Sequence, residues 1–383
     1  MKIGIITHYY NSKNYGGNLQ AYALCKYLSK NNNVEQICYV NVGNESNASK
    51  IKKYGLLKTA KKIFSRIIKK VNNLTNKKSQ NLISANLQIR CKTIANFNSN
   101  IPHSNKVYNK HNIKEVSNEY DLFITGSDQV WHPEAICPAY VLDFTDKPKI
   151  SYAASIATNV IPTEQKTLLE NSLKTFKALS VREKSSCDIL KGVGKNIEWV
   201  LDPVFLIDKE EWLDISGKRK IDDDYVFCYF LGTDKKYRKA VKEYAFKHHF
   251  KIVSMPYLLG EFNKADKGFA DIDLYDVSPL DFVNLIINSK MVFTDSFHTS
   301  AFSCIFEKDF FVFTRTKYSS SKERMLSLSE LFNIKERLCF DKKDISIYNF
   351  DNVKSKVFAS DKYFELKKKS EKFLLDNIKD YEY

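Results

Sequence analysis

Segment 294–300 (TDSFHTS) holds a histidine among hydroxyl side chains. It follows an apolar run typical of a buried strand and precedes a helical pattern, which places His298 near the N-terminus of a helix. Free backbone N–H groups and the helix dipole favour an anion there, and an imidazole can both bind a phosphate and donate a proton. The candidate anion site therefore comprises His298 with Ser296, Thr299 and Ser300. The alternative is that Ser296 or Thr299 caps the helix and His298 only packs.

Two more charged residues follow strand-like runs, which places them at strand ends. Arg182 comes directly after ALSV, and Asp128 closely follows YDLFIT. A guanidinium can hold a carboxylate or phosphate through two hydrogen bonds, and a carboxylate can accept a hydroxyl proton or orient a base. The alternatives are a structural salt bridge from Arg182 to Glu183 and an Asx turn at Asp128. Because the loops after strand carboxyl ends build the site of an α/β sheet, we expect both side chains there.

Five residues nearby are further candidates for substrate binding. Ser127 and Gln129 lie on the same loop as the candidate carboxylate. Trp131 could stack on a sugar ring, although an aromatic side chain beside a loop more often packs in the core. Gly17 and Asn18 bring the backbone close to the cleft before the first helix, or simply form the turn that enters this helix.

The sequence offers no established metal or nucleotide motif. It contains no CxxC pair, no HExxH, no GxSxG, no GxxxxGK[ST] phosphate loop and no GxGxxG after the first strand. The DxD spacing of Asp271 and Asp273 is too short a pattern to predict a metal site. We therefore expect a reaction that needs no metal and no cofactor.

The elements that must position these residues alternate between strand and helix. In the first half, the patterns predict a helix at 19–29 and strands at 2–7, 120–125, 150–155 and 178–182. In the second half, they predict strands at 226–232, 251–256, 291–296 and 309–314. Helices are predicted up to about 249 and at 279–290, 298–306, 322–332 and 361–381. This order predicts an α/β protein with two Rossmann-like βαβ domains that face each other across a cleft.

The 383 residues correspond to about two domains. We expect an N-terminal domain over 1–210 with a basic helical insertion at about 48–80, a linker at 211–224, a C-terminal domain over 225–345 and a helical tail at 346–383. The linker is predicted because that stretch is polar.

The excess positive charge is concentrated in one segment. The chain carries 60 Lys and Arg against 45 Asp and Glu, a net charge of +15. Residues 50–78 hold eleven basic side chains and no acidic one, with apolar residues every three or four positions, as on one face of a helix. This pattern predicts a surface for an anionic membrane or an anionic lipid-linked substrate, and the alternative is a solvated helix packed on the domain. We find no nucleic-acid-binding motif beside it and expect no nucleic acid partner.

Cysteine usage and hydropathy indicate a cytoplasmic protein. The eight cysteines are scattered, and we expect reduced, mostly buried thiols. The start, MKIGIITHYY, lacks the features of a signal peptide, and no apolar run approaches the roughly 18 residues of a membrane span. Peripheral contact with the inner face of the plasma membrane through 50–78 stays open.

Six segments, in order, resemble the polysaccharide pyruvyl transferase family. They are NYGGNLQAYAL (14–24), DLFITGSDQVWHP (121–133), ISYAAS (150–155), ALSVREKSS (178–186), VLDPVFLI (200–207) and VFTDSFHTSAFSCIFEKDFFVF (292–313). A late helix from Glu323 onward, which contains Arg324, completes the set. Because the segments run over most of the chain, together they are far more specific than any one of them.

The resemblance implies a fold similar to the GT-B glycosyltransferases, with the active site between two domains. It implies transfer of a carboxyvinyl-derived group from phosphoenolpyruvate to two hydroxyls of one sugar, which leaves a pyruvate ketal. The family suggests a capsule or other surface glycan on a lipid carrier as the acceptor in exopolysaccharide biosynthesis. In the family, a histidine in a DSFHG-like segment and an arginine after the SV strand bind the donor, and these correspond to His298 and Arg182.

This sequence departs from the family pattern at two positions. Thr299 stands where many members have glycine after the histidine, and Ser296 stands where a subgroup has arginine. The resemblance therefore implies that donor anchoring depends more on Arg182, on Arg324 or on a lysine.

Two other functions stay open at this point. One is a GT-B-type glycosyltransferase that uses a nucleotide sugar. The other is a non-catalytic basic adaptor that contacts membranes or polyanions through residues 50–78.

Overall fold

The computed structural model describes residues 1–41, 77–256, 263–315, 320–340, 350–351 and 356–379. Nearly all of the basic segment 50–78, and most of the predicted insertion at about 48–80, lies outside these residues. Contact of this segment with an anionic membrane therefore stays a prediction. Within the described residues, no helix combines the length and the apolar character needed to span a bilayer.

The first domain is built on a parallel sheet. Four strands pair in the order β2-β1-β3-β4: β1 (Lys2–Ile6), β2 (Asn33–Gln36), β3 (Leu122–Thr125) and β4 (Lys149–Ser151). Strands β5 (Leu179–Val181) and β6 (Ile197–Trp199) also pair in parallel. Single parallel bridges from Ile150 to Ala178 and from Ala154 to Val181 connect this pair to β4. Strands β3, β4 and β5 are buried along their whole length, as expected for parallel strands covered on both faces.

The second domain carries a six-stranded parallel sheet. Its strands are β7 (Tyr225–Tyr229), β8 (Lys251–Ser254), β9 (Ile272–Asp273), β10 (Met291–Thr294), β11 (Phe310–Phe313) and β12 (Leu338–Cys339). They pair in the order β12-β11-β10-β7-β8-β9. The central strands β7, β10 and β11 are completely buried.

Helices connect most of the strands. The α-helices of the described residues are α1 (Tyr15–Leu28), α2 (Lys77–Asn98), α3 (Thr163–Leu173), α4 (Lys184–Ile189), α5 (Lys209–Ser216), α6 (Lys235–Lys247), α7 (Pro279–Asn288), α8 (Phe297–Ile305), α9 (Ser320–Ser329) and α10 (Asp361–Lys379). Short 3₁₀ helices span Ile113–Asn118, Pro138–Val141, Lys191–Val193, Pro203–Phe205 and Lys335–Arg337. The predicted α/β fold is confirmed by this arrangement.

The predicted linker and one predicted strand differ from the structure. The first residues of the predicted linker at 211–224 belong to helix α5. This part of the chain is packed on the protein, because Trp212 is completely buried and its indole N–H donates to the Val204 carbonyl. The predicted strand 150–155 ends early, at Ser151, and Ala153 adopts a left-handed backbone with φ of 50° that no strand accommodates. The domain boundaries themselves stay predictions.

The two domains pack against each other directly. Arg90 on α2 donates to the Pro256 and Leu274 carbonyls of the second domain, at 2.6 and 3.0 Å. The Tyr15 hydroxyl on α1 donates to the Val277 carbonyl at 2.9 Å. Helix α10 returns to the first domain, where the backbone N–H of Leu201 donates to Ser370. Side chains of α1 and α2 thus contact the second domain, and the C-terminal helix α10 contacts the first.

Candidate active site

The three charged residues predicted to carry chemistry follow strand carboxyl ends. Asp128 follows β3, Arg182 follows β5 directly, and His298 lies in the first turn of α8, just after β10. All three side chains are buried. Ser296 occupies the position before α8, and no side-chain capping bond from it is present among the described residues. The first turn of α8 therefore keeps its backbone N–H groups free of a side-chain cap.

A buried carboxylate that sequence reasoning missed, Asp202, lies at the centre of the site. Its Oδ2 accepts a hydrogen bond from Arg182 Nη1 at 2.8 Å and one from the Ser127 hydroxyl at 3.0 Å. The Nε2 atom of His298 lies 3.6 Å from the same oxygen, an ion-pair distance rather than a hydrogen bond. Its Oδ1 accepts from the backbone N–H of Val204. This carboxylate brings together side chains from both domains.

Neighbouring charged groups set the ionisation states of Asp202 and Arg182. Burial alone would raise the pKa of the Asp202 carboxyl, but His298 and Arg182 hold it well below its ordinary value. Burial alone would lower the pKa of Arg182, but Glu183 and Asp202 raise it. Arg182 Nε donates to Glu183 Oε1 at 3.2 Å, and its buried Nη2 has no hydrogen-bond partner in the described chain. Both groups are therefore charged, and the guanidinium keeps one nitrogen for a ligand.

Arg324 on α9 supplies a second buried guanidinium. Its Cζ lies 5.8 Å from the centre of the Phe297 ring, and Arg182 Cζ lies 4.6 Å from the same ring. No side-chain hydrogen bond joins Arg324 to another residue that the structure describes, and its buried Nε is unpartnered. Burial and the neighbouring Arg182 lower the pKa of Arg324 to about 9. Two neighbouring buried guanidiniums, each with a nitrogen that has no hydrogen-bond partner in the described chain, are suited to a multiply charged anion.

The imidazole of His298 packs against the backbone of α1. A Cβ atom placed on Gly16 would lie 2.0 Å from His298 Nδ1 and 2.3 Å from its Cγ. Gly16 begins the first turn of α1, where Asn14 caps the helix by accepting from the Gly16 N–H. The helix therefore begins at Tyr15 rather than at residue 19, and the missing side chain of Gly16 leaves room for the ring.

We expect Gly16→Ala to reduce turnover by at least about tenfold, because the new methyl group cannot coexist with the observed ring position. Gly17→Ala is a milder comparison, because its Cβ would lie 3.0 Å from the His8 carbonyl and 3.2 Å from an Asp128 oxygen, so these neighbours must move by only a few tenths of an ångström. Steady-state kinetics on both variants test this. Equal activity of Gly16→Ala and wild type would contradict the placement of His298.

A histidine on the first loop adjoins the Asp128 carboxylate. His8 follows β1, and its ring stacks on Tyr140 with centres 4.7 Å apart. Burial lowers the pKa of His8, and the nearby charge of Asp128 opposes this shift only in part. His8 is therefore neutral at neutral pH, next to a carboxylate that Gly17 approaches closely. The pair can accept protons from hydroxyl groups.

Other predicted residues support the site without pointing into it. The Ser300 hydroxyl donates to the Ser296 carbonyl within α8. Asn18 donates to the Ser12 carbonyl and accepts from Asn98, so it holds the first loop. Thr299 is completely buried, and its hydroxyl has no partner among the described residues.

The remaining two candidates lie on the loop after β3. Gln129 is half-buried. Trp131 is completely buried, its indole N–H donates to the Tyr140 carbonyl, and its ring meets Phe176 edge-on. An indole without an exposed face cannot stack on a sugar, so the predicted sugar-binding role of Trp131 is not supported, and the side chain belongs to the core.

In the described part of the molecule, no group of three or more His, Cys, Asp or Glu side chains is arranged to hold a metal ion. In the Asp271–Asp273 pair, Asp271 accepts a hydrogen bond from the backbone N–H of Ile252 and so has a structural partner.

Sequence comparison identifies the family. A model of the polysaccharide pyruvyl transferase family matches residues 14–317, most of the chain. The chain belongs to this family. Polysaccharide pyruvyl transferases are, by that description, transferases that act on polysaccharides, and the matched range includes Asp128, Arg182, Asp202 and His298. A search of the curated proteins found no match.

Solved structures show the same fold at low identity. S. aureus MnaA in complex with UDP is 12% identical, with a TM-score of 0.54 over 99% of this chain and 98% of that chain. A UDP-N-acetylglucosamine 2-epimerase from Rickettsia bellii is 9% identical, with a TM-score of 0.51 over 98% and 96% of the two chains. The UDP-GlcNAc 2-epimerase from Methanocaldococcus jannaschii is 14% identical, with a TM-score of 0.50 over 92% and 94%. These likenesses confirm the GT-B-like arrangement of two Rossmann-like domains in this polysaccharide pyruvyl transferase family member.

Sequence reasoning missed four residues of this site. Asp202 lies in the segment VLDPVFLI, where Pro203 follows it and a 3₁₀ turn was not foreseen. His8 is the first titratable residue after β1, and the rule that loops after strand ends build the site could have found it. Glu183 was considered only as a salt-bridge partner, and Gly16 only as one residue of the segment NYGGNLQAYAL (14–24).

Proposed function

We propose that this protein transfers the pyruvyl group of phosphoenolpyruvate to two hydroxyls of one sugar in a surface polysaccharide or its lipid-linked precursor, forming a pyruvate ketal. The observation that carries the proposal is the pair of buried guanidiniums, Arg182 and Arg324, beside His298, each with a buried nitrogen that has no hydrogen-bond partner in the described chain. Phosphoenolpyruvate carries about three negative charges at neutral pH, from one carboxylate and one phosphate. Such a trianion presents oxygen atoms that both guanidiniums can bind through hydrogen bonds.

The donor is proposed to bind through both ends of the molecule. Arg182 would hold the carboxylate or the phosphate through its free Nη2, and the first turn of α8 would hold the other group. A subgroup of the family has arginine at the position of Ser296, just before α8. In this chain, Arg324 supplies positive charge at the site from a different helix, α9. Family membership and this charge distribution support the assignment.

The chemistry then needs one acid and one base. Protonated His298 would give its proton to the methylene carbon, which becomes the methyl group of the ketal, and C2 of the donor becomes cation-like. One sugar hydroxyl attacks C2, the bond from C2 to the phosphate oxygen breaks, and phosphate leaves. The second hydroxyl attacks C2 and closes the ketal ring, and Asp128 with neutral His8 accepts or orients the hydroxyl protons. Holding both hydroxyls near C2 is mainly a positioning task for the two packed domains.

The proposal is tested by incubating the protein with phosphoenolpyruvate and candidate glycans. We expect phosphate release together with a product mass gain of about 70 Da, the mass of a ketal-linked pyruvate. Because we propose a reaction without a metal or cofactor, both signals should persist with EDTA. Complete loss of activity with EDTA contradicts the metal-free proposal, and phosphate release without any product gain contradicts ketal formation.

Ligand-dependent stabilisation separates the proposed donor from a nucleotide sugar. A ligand at about 100 times its Kd raises the free energy of unfolding by roughly 2.7 kcal/mol, which a thermal shift detects. We expect stabilisation by phosphoenolpyruvate and none by UDP or GDP sugars. The opposite result favours a GT-B-type glycosyltransferase. A basic adaptor would instead lose function when the charges of 50–78 are removed.

A further inference from the structure

A second cavity lies in the first domain, between the loop after β1 and helix α2. Its volume is about 470 Å³, within the range of about 300–1,000 Å³ that small-molecule sites occupy. One wall is the loop segment 9–13, and the other is the C-terminal half of α2, which contributes Cys91, Ala95 and Asn98. None of the charged groups proposed to bind the donor lines this cavity. The donor site and this cavity are therefore distinct.

The lining of the cavity suits a saccharide. Tyr9 and Tyr10 supply aromatic rings that can pack on the apolar face of a sugar, while Asn11 and Ser12 supply polar groups for its hydroxyls. Tyr10 is half-buried, and its hydroxyl makes no side-chain hydrogen bond to a residue that the structure describes. Lys13 adds a positive charge, and no carboxylate of the described chain lines the cavity. This surface is partly aromatic, partly polar and not acidic.

Hydrogen bonds connect the two walls, so the cavity is preformed. The Tyr9 hydroxyl donates to the Asn98 carbonyl at 3.1 Å. The Asn98 amide donates to Asn18 on α1 at 3.1 Å, and the Asn18 amide donates in turn to the Ser12 carbonyl at 3.1 Å. These bonds join α1, α2 and the loop. A ligand that enters therefore loses little free energy in ordering the walls.

The same loop connects the cavity to the groups proposed to accept hydroxyl protons. His8 directly precedes the two tyrosines of the wall, and its ring lies near the charge of Asp128. At its other end, Asn14 caps α1, where Gly16 packs against His298. A glycan chain that passes over this loop can thus place one sugar beside the reacting groups and the neighbouring sugar in the cavity.

We propose that this cavity binds the acceptor glycan and holds the sugar residues next to the one that receives the pyruvyl group. The identity of the ligand as the acceptor rests on the proposed function, whereas saccharide binding can be measured without turnover. The cavity would make the enzyme favour glycan chains over single sugars, because a single sugar fills only the reacting position.

Ala95→Trp tests the proposal by filling the cavity. Ala95 is an exposed residue of α2 that lines the cavity, so a larger side chain does not disturb the core. Asn96→Trp is the matched control, because it places the same side chain on the next exposed residue, which does not line the cavity. With a glycan that gains mass in the wild-type reaction, we expect Ala95→Trp to raise the acceptor KM by at least about tenfold. Asn96→Trp should match wild type, and the KM for phosphoenolpyruvate should stay unchanged in both variants.

Tyr10→Ala tests the aromatic contact from the opposite wall. Truncation of an aromatic side chain that packs on a ligand should raise the acceptor KM by at least about fivefold, with the KM for phosphoenolpyruvate unchanged. Tyr27→Ala is the control, since Tyr27 is also half-buried in the first domain but lies outside the cavity. An unchanged acceptor KM in both Tyr10→Ala and Ala95→Trp overturns the inference, even in a protein that forms the ketal.

A readout without turnover separates the cavity from the proposed function. Cys91 lines the cavity and is half-buried, whereas Cys187 on α4 is a half-buried thiol outside it. With lactose, cellobiose and N,N′-diacetylchitobiose as probes, we expect slower modification of Cys91 by iodoacetamide, measured by mass spectrometry, and no change at Cys187. Equal modification of Cys91 with and without each disaccharide overturns the inference. Protection of Cys91 in a protein that transfers no pyruvyl group supports saccharide binding and overturns the proposed function instead.

Discussion

His298→Ala is expected to lower turnover by at least about 100-fold and up to about 10⁴-fold, because a general acid contributes this much to a reaction rate. The variant removes the proposed proton donor, and it also removes the only imidazole that lies against Asp202 in the described chain. Phosphate release from phosphoenolpyruvate in the presence of acceptor measures the effect. Binding of the donor should fall less than turnover, since Arg182 and Arg324 remain.

The control for this experiment is His111→Ala. His111 is an exposed loop residue of the first domain whose side chain lies outside the site. It should keep wild-type turnover and stability. Wild-type-like turnover of His298→Ala would remove His298 from the mechanism and would leave the adaptor function as the stronger alternative.

The two buried arginines should respond in opposite ways when each is replaced by methionine. Arg324→Met removes a buried cation that makes no side-chain hydrogen bond in the described chain, so stability should stay equal or rise. Arg182→Met leaves Asp202 and Glu183 as buried carboxylates without their cation, which should cost about 3–5 kcal/mol of unfolding free energy. The difference in unfolding free energy between the two variants therefore shows which arginine is paired with buried carboxylates.

Arg324→Met should bind phosphoenolpyruvate more weakly than wild type, even though its free energy of unfolding is not reduced. A hydrogen bond between charged groups contributes about 1.5–3 kcal/mol, so the Kd for phosphoenolpyruvate should rise by at least about tenfold. Chemical denaturation gives the stability, and calorimetric titration gives the Kd. Lys322→Met is the matched control, because it removes one exposed charge from the same helix. An unchanged Kd in Arg324→Met would exclude this guanidinium from the donor site.

Local sequence patterns were sufficient to predict the two-domain α/β fold and the strand ends that carry Asp128, Arg182 and His298. Alternating runs of apolar residues report burial along a segment, and parallel strands bring their carboxyl ends to one edge. The helix start after β10 followed from the same reasoning, because a buried strand and a helical pattern meet at Ser296. Each of these features depends on residues close in sequence.

Contacts between distant segments could not be derived in this way. The approach of Gly16 to His298 joins α1 to α8, and the ion pairs of Asp202 join a 3₁₀ turn to both domains. The complete burial of Trp131 and Trp212 could not be derived for the same reason, since a polar stretch of sequence does not show what packs over an aromatic ring within it. Periodicity shows which face of an element is buried, whereas the identity of the opposing residue depends on how the two domains pack. The chemistry of this site arises from those opposing residues.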